Sequence, residues 1–459
     1  MKPPHDDTAP LAAVNTLEQL RAGMLAGSRR LSLSCGLETF PPEIFTLADT
    51  LEILDLSNNA LNALPNDLAR LHRLRIIFCS NNQFTELPEV LGQCAKLEMI
   101  GFRANQIRHV PAAALPPRLR WLVLTDNQLA ELPAGIGRCT RLQKLMLAGN
   151  RLHTLPPEMV ACTGLELLRI AANQFTALPG WLLALPRLAW LAFAGNPLAE
   201  TGEAAALADT PLPRIDWTSL RLGPLLGEGA SGVIRQALWQ QGDAAQLVAV
   251  KLFKGALTSD GLPRHEMAAC ISAGTHPGFI AVHGRITGHP ANSEGLVMAL
   301  VAPRFRNLAA PPSLETCTRD VYDAAACFTL DTVLELALGV ASAASQLHAR
   351  GLVHGDLYAH NILCADNGEA LLGDFGAASF VPPENEPLAL ALQRIEVRAF
   401  SCLLEELLAR CQAPASLHVL QQRLNTLQAE CAGEASAQRP LFAKIVQRLM
   451  QVQHSLPKQ

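Results

Sequence analysis

Neither sign of charge dominates this chain. Lysine and arginine number 37 against 41 acidic residues, a formal net charge of -4, so charge implies neither a nucleic-acid-binding surface nor a disordered tail. Paired cysteines are also missing. The twelve cysteines are scattered without a CxxC pair or the density of a small disulfide scaffold, so a reducing compartment is expected. No uninterrupted apolar stretch is long enough to span a bilayer, and MKPPHDDTAP at the N-terminus has prolines and acids where a signal peptide needs an apolar core. These absences predict a cytoplasmic protein. Hydrophobic residues are plentiful, 49% against 17% charged in 459 residues, enough for two or three domains each with its own core. Arginine outnumbers lysine and alanine is abundant, a bias expected of a GC-rich bacterial source.

A repeat fills the first half. LEILDLSNNALNALP sets Leu51, Leu54, Leu56 and Leu61 around Asn59, with Pro65 six residues beyond it. Asn82, Asn105, Asn127, Asn150, Asn173 and Asn196 recur at a step of 23 residues, once 22, and Pro88, Pro111, Pro133, Pro156 and Pro179 keep the offset of six. Seven asparagines in register leave no room for chance. Leu31 and Leu33 fit a strand ahead of Gly36, which marks a degenerate first unit. The pattern resembles that of leucine-rich repeats, whose units bury their apolar faces only by stacking on neighbours. Asparagine there can bond to backbone groups of adjacent turns that would otherwise be buried unpaired. Cys94, Cys139 and Cys162 take the slot held elsewhere by Leu71 and read as small buried hydrophobes. A capping helix is expected within 11–29.

Residues beside the strand leucines should face the concave side: Ile53, Phe78, Trp121, Val123, Met146, Trp190 and the charged Asp55, Arg103, Lys144 and Arg169. Such a face suits a protein partner or substrate. The alternative is that Trp121 and Trp190 merely pack on neighbours or on the chain's own second domain.

After Asn196 the period stops, and ETGEAAALADTPLPRID reads as a cap and linker. LLGEGASGVI then sets Gly227, Gly229 and Gly232 in GxGxxG spacing between Leu226 and Ile234, a loop whose backbone can approach phosphate oxygens. Alone, this spacing is weak evidence, since a loop of three glycines is often only a turn. LVAVKLF embeds Lys251 in an apolar strand, where an ammonium needs an anionic partner, and Glu266 on the following helix can supply one. LVMALV forms a further strand, with Met298 near its end. LHARGLVHGDLYAHNIL holds His354, Asp356 and Asn361 as HxDxxxxN, and LLGDFGAAS supplies Asp374, Phe375 and Gly376.

Together these motifs, in this order, resemble a eukaryotic-type protein kinase over about 217–455. The expected fold is an α/β solenoid of leucine-rich repeats followed by a two-lobed α+β protein kinase domain: 1–29 N-terminal cap, 30–200 repeats, 201–216 cap and linker, 217–455 kinase. The resemblance implies ATP and magnesium as cofactors. It gives Lys251 the α- and β-phosphates, with Glu266 locking it, and sets Asn361 and Asp374 on magnesium. Asp356 would take the acceptor's proton, and His354 would brace the loop. The glycines and Ile234 would cover the phosphates, with Leu226, Ala249 and Leu363 around adenine and Met298 at its border. Pro382, Pro383 and Glu384 match the APE element, EVRAFSCLLEELL the central helix of the large lobe, and Arg439 is expected to pair with Glu384.

The sequence departs from the family at several points. Gly355 replaces the arginine of phosphorylation-switched members. The segment from Asp374 to Glu384 is short, with Ser379 its only hydroxyl, and this argues against a phosphorylated-loop switch. Tyr358 matches neither the serine/threonine nor the tyrosine pattern, and Glu396 replaces the aspartate expected at the start of the central helix. Two other readings stay open on sequence: a small-molecule kinase of aminoglycoside-phosphotransferase type, which shares HGDL, and a pseudokinase scaffold.

Overall fold

A computed structural model describes residues 15–208, 212–255, 257–382 and 384–456. Pro383, the first fourteen residues of the expected N-terminal cap and 209–211 of the expected linker lie outside the described residues. Two compact units divide the chain, one running to Leu188 and one beginning at Ala189.

The first unit is built from the repeat. Helix α1 (Leu17–Arg21) is shorter than the expected capping helix; the Thr16 hydroxyl accepts from Gln19 N, and the Gln19 side chain returns a bond to the cap. Seven three-residue strands follow: β1 (Arg30–Ser32), β2 (Ile53–Asp55), β3 (Ile76–Phe78), β4 (Met99–Gly101), β5 (Trp121–Val123), β6 (Lys144–Met146) and β7 (Leu167–Arg169). They pair in parallel and in register, Ile53 beside Ile76 and Met99 beside Trp121. Short 3-10 turns return the chain, and helix α2 (Gly180–Leu183) is the last return. Leu31, Leu54, Ile77, Leu122, Leu145 and Leu168 have no solvent exposure and form the core row.

The asparagines form a ladder inside this unit. Each of Asn82, Asn105, Asn127, Asn150 and Asn173 accepts at Oδ1 from a backbone N–H of the preceding repeat, at 2.9–3.1 Å. Each also donates from Nδ2 to a carbonyl of that repeat, at 2.9–3.0 Å. Asn59 does the same for the degenerate unit through Leu37 N and Leu33 O. The residue before each asparagine is left-handed, whether it is Asn58, Asn81, Ala104, Asp126, Gly149 or Ala172. Cys94, Cys139 and Cys162 are buried as expected, and burial pushes their thiols up to about 11.

The expectation that the concave residues face outward fails for most of them. Asp55, Phe78, Trp121, Val123, Lys144, Met146 and Arg169 are buried, while Ile53 and Arg103 are half-buried. Side chains on one strand face pack laterally: Lys144 Nζ lies 4.1 Å from the Trp121 ring centre, a cation–π contact.

The second unit opens with β8 (Trp190–Ala192), α3 (Glu200–Ala208) and β9 (Arg214–Asp216). Strand β9 pairs in parallel with β13 (Val282–Thr287), so 214–216 belong to a sheet rather than to a free linker. That sheet also holds β10 (Leu220–Glu228), β11 (Gly232–Gln241), β12 (Ala244–Phe253) and β14 (Gly295–Ala299), in the order β10-β11-β12-β14-β13-β9. Helix α4 (Pro263–Ala273) begins on a proline, which has no N–H to leave unsatisfied, and most of its residues are buried.

Two small sheets follow in sequence, β15 (Arg306–Asn307) with β17 (Ile362–Cys364) and β18 (Ala370–Leu372), and β16 (Leu352–Val353) with β19 (Ser379–Phe380). Four helices complete this part: α5 (Leu330–Ala349) against β16 and β18, α6 (Glu386–Leu408) against β16, α7 (His418–Ala432) against α6, and α8 (Phe442–His454) against α5 and α7. Helix α5 buries a stripe of Leu, Val and Ala, and α8 buries Phe442, Ile445, Leu449 and Val452 at helical spacing. Among the described residues no helix is long and apolar enough to cross a membrane.

Candidate active site

The glycine loop is the hairpin between β10 and β11, closed by Gly229 N donating to Gly232 O at 2.9 Å. Gly232 is required by space, since a Cβ there would meet Leu252 O at 2.6 Å. At Gly227 and Gly229 a Cβ would meet nothing within 4 Å, which leaves that backbone face free for a ligand. Lys254 Nζ pins the flank of the loop through Glu228 Oε1 at 2.7 Å and Gly229 O at 3.1 Å, a tie the sequence did not announce. Register puts Gly227 beside Ile234 and Ile234 beside Lys251, and on the other side of β12 it puts Ala249 beside Met298. Leu226 is 37% exposed.

Lys251 Nζ forms an ion pair with Glu266 Oε1, and Glu266 is buried on α4. Burial disfavours the ammonium, but the carboxylates of Glu266 and Asp374 outweigh it and hold Lys251 protonated above its ordinary range. These three residues, far apart in sequence, therefore share one electrostatic cluster.

The loop after β16 is fixed from below. His354, fully buried, donates from Nε2 to Gly373 O at 2.9 Å and accepts at Nδ1 from Asp356 N at 3.3 Å. Asn361 Nδ2 donates to Asp356 Oδ2 at 2.7 Å and to Asp356 O at 3.0 Å. Gly355 has φ +71°, and a Cβ there would meet Ala377 O at 2.6 Å and Leu191 O at 2.7 Å. Its N–H donates to Glu396 Oε1 at 2.8 Å, while Glu396 Oε2 meets His348 Nε2 at 2.6 Å. Burial pushes the Glu396 carboxyl up, but the His348 bond and charge prevail and hold it below the usual range. Glu396 lies well inside α6, which starts at Glu386, so the expectation that it opens the helix is corrected. Leu363 is half-buried on β17.

Asp374 is left-handed, φ +52°, and accepts at Oδ1 from Gly376 N at 3.2 Å. The Phe375 ring lies 5.2 Å from His354 and 5.7 Å from Phe279. The following segment pairs at once with β16, Val353 beside Ser379, and Ser379 has no solvent exposure. The pairing expected of Arg439 is not found: it is buried and donates to Gly433 O and Arg394 O, whereas Glu384 is exposed. Burial, reinforced by Arg398, lowers the Arg439 pKa to about 10.

No group of three or more His, Cys, Asp or Glu side chains suited to a metal occurs among the described residues. Asn361 and Asp374 nonetheless supply hard oxygens, and magnesium commonly takes only one or two protein ligands beside substrate phosphates.

Residues 220–401 match the family model of protein tyrosine and serine/threonine kinases, and residues 50–71 and 140–198 match leucine-rich repeat models. The chain carries leucine-rich repeats and a protein kinase domain. The kinase domain implies use of ATP and, as a rule, magnesium. Over 284 residues the chain is 26% identical to mouse (Mus musculus) megakaryocyte-associated tyrosine-protein kinase, covering 54% of this chain and 52% of that protein. It is 25% identical to Activated Cdc42 kinase-like of Drosophila melanogaster over 34% of this chain and 11% of that protein. Identity reaches 46% with serine/threonine-protein kinase Tao of the same fly, over 12% of this chain and 5% of that protein. The chain thus spans from a twentieth to about half the length of these curated relatives, which are animal proteins. The bacterial source expected from the arginine bias is not borne out.

Proposed function

We propose that the chain is an ATP-dependent protein kinase that transfers the γ-phosphate to a hydroxyl side chain of a protein, with 217–455 as the kinase domain and the repeats of 30–200 selecting the partner. The observation that carries this reading is the joint presence of the Lys251–Glu266 ion pair, the Asp374 charge beside it and the Asp356–Asn361 hydrogen bond. In this reading Lys251 holds the α- and β-phosphates, and the open backbone at Gly227 and Gly229, with Gly232 and Ile234, covers them. Leu226, Ala249, Leu363 and Met298 enclose the base. Asn361 and Asp374 would hold magnesium, which supplies charge neutralisation on the phosphates when bound. Asp356 orients the acceptor and takes its proton as the bond from acceptor oxygen to γ-phosphorus forms and the bond from phosphorus to the ADP oxygen breaks. Serine or threonine is the favoured acceptor.

Partner selection on the concave face is supported by the half-buried Ile53 and Arg103, where that face is most open. A cytoplasmic location belongs to the same proposal, supported by scattered cysteines used as apolar filler.

Purified protein incubated with labelled ATP and magnesium, with generic protein acceptors and aminoglycosides in parallel, tests the reading. Label on protein that disappears in Asp356→Asn, while nucleotide binding persists, is the expected result. Label on the drug, or none anywhere, sinks it.

A further inference from the structure

Residues 190–203 touch the kinase machinery at two places. Helix α4, which carries Glu266, presents the buried His265 one residue earlier. Glu203 Oε2 of α3 lies 3.4 Å from His265 Nε2, and Glu203 Oε1 accepts from Gly195 N at 2.7 Å. The Gly195 turn rests on the imidazole so closely that a Cβ would meet its Cε1 at 2.3 Å, and Gly195 is left-handed, φ +69°. One buried carboxylate thus ties the turn after β8 to helix α3 and, near the N-terminal end of α4, lies against the His265 ring, whose Nε2 accepts from Arg264 Nε at 3.2 Å. The far end of α4 has its own ties, Gln346 Nε2 to Ala273 O at 2.9 Å and Arg350 to Ser272 O at 3.3 Å.

The second contact is with the loop that holds Asp356. Trp190 stacks on Tyr358, ring centres 4.1 Å apart and planes 7° from parallel, and its Nε1 donates to Leu357 O at 3.1 Å. Phe193 N, just past β8, donates to Ser379 Oγ at 3.0 Å, so the segment after Asp374 is gripped from the end of that strand. Both Trp190 and Tyr358 are almost fully buried.

We infer that β8, the Gly195 turn and α3 are a positioning element for phosphoryl transfer: Glu203 seats α4 so that Glu266 reaches Lys251, and Trp190 seats the Asp356 loop through Tyr358. The inference rests on the kinase reading above. It accounts for Gly355 and for the short segment after Asp374, because a permanently packed strand supports the loop with no phosphate-dependent tie. It also accounts for Tyr358, whose ring is the surface Trp190 lies on. Glu203 and Trp190 touch no reacting atom and act through Glu266 and the Asp356 loop. A cover that blocks acceptors is the opposite reading of the same contacts; the formed Lys251–Glu266 and Asp356–Asn361 pairs favour support.

The test uses the full chain and four variants: Glu203→Ala, Glu203→Gln, Trp190→Ala and Trp190→Phe. Each is measured for kcat, KM for ATP and for a generic acceptor, melting, and amide hydrogen exchange across 263–273. Glu203→Ala should speed exchange in α4 and lower kcat about tenfold with the acceptor KM unchanged, as loss of a charge-assisted bond implies. Glu203→Gln, whose amide oxygen still accepts from Gly195 N, should recover most of both. Trp190→Ala should lower kcat, and Trp190→Phe, which keeps the stack, should fall between. A folded Glu203→Ala and Trp190→Ala with wild-type kcat and wild-type exchange overturn the inference, and so does a rise in kcat, which would mark a cover. If Glu203→Ala does not fold, Trp190→Phe decides by the same kcat comparison. If the wild type transfers no phosphate at all, the kinase reading fails instead; the exchange of α4 then still decides, faster in Glu203→Ala for support and unchanged against it.

Discussion

The two units handle buried polar groups in opposite ways. In the repeat unit one device, an asparagine bonding backward to the preceding turn, is used at every level with nearly the same distances. In the kinase unit each buried polar residue has a different set of partners and no understudy: Glu396 with His348 and Gly355, Glu203 with Gly195 and His265, His354 with Gly373. Repetition spreads a polar requirement over many equivalent sites, whereas a catalytic loop concentrates it on a few. Damage should therefore stay local in the first unit and propagate in the second.

The largest effect should come from the least replaceable group. Glu396→Ala leaves His348 and Gly355 N–H buried without their acceptor, and by analogy with broken buried pairs it should cost about 3–5 kcal/mol. Urea unfolding of the full chain and phosphotransfer should both show the loss, and a cost under 1 kcal/mol would break the comparison.

Removing one rung should cost less. Asn127→Ala strips acceptor or donor from Ile107 N, Phe102 O and Leu124 O, a loss of about 1–3 kcal/mol. Asn150 shares Leu124 O with Asn127, so the double variant should depart from additivity by about 0.5 kcal/mol or more. Strict additivity would mean that the rungs act independently.

The third effect depends on pH. Burial, helped by the neighbouring Arg264 charge, lowers the His265 pKa from 6.5 to about 4. Its folded-state pKa is depressed, so its contribution to stability is present above pH 6.5 and is lost as pH falls toward 4. His265→Gln should therefore lose about 2–3 kcal/mol less than the wild type between pH 7 and pH 4. Parallel unfolding curves for the two proteins across that range would contradict it.

The smallest effect concerns strain. Ala104 and Ala172 occupy the left-handed position before the ladder asparagine, with φ +50° and +52°. Ala172→Gly should stabilise by about 0.5 kcal/mol, the relief of a left-handed alanine minus the entropy that glycine costs. A lower melting temperature would show that the turn carries no such strain.

Sequence and structure agree where the signal is local or strictly spaced. The ladder asparagines were legible because a period carries its own proof, and His354, Asp356, Asn361 and Asp374 because short fixed spacings define a loop. The left-handed position beside the asparagine was not legible, since its occupant changes from asparagine to alanine, aspartate and glycine. The concave residues were misjudged for another reason. The repeat pattern tells which side chains leave the core, but not that Lys144 would lie over Trp121. Trp190 with Tyr358, Glu203 with His265 and Glu396 with His348 have no shared motif, and only tertiary packing brings each pair together.

Gly355 has a consequence for any attempt to rewire this loop. The space a side chain would need is occupied by the carbonyls of Ala377 and Leu191, and the backbone is left-handed there. Placing arginine there by Gly355→Arg would therefore not install control by a phosphate; it would first evict the backbone of Leu191 and Ala377 that lies on the loop. The position works as a ratchet: with backbone filling that space, a phosphate-gated loop is reached only by several changes at once.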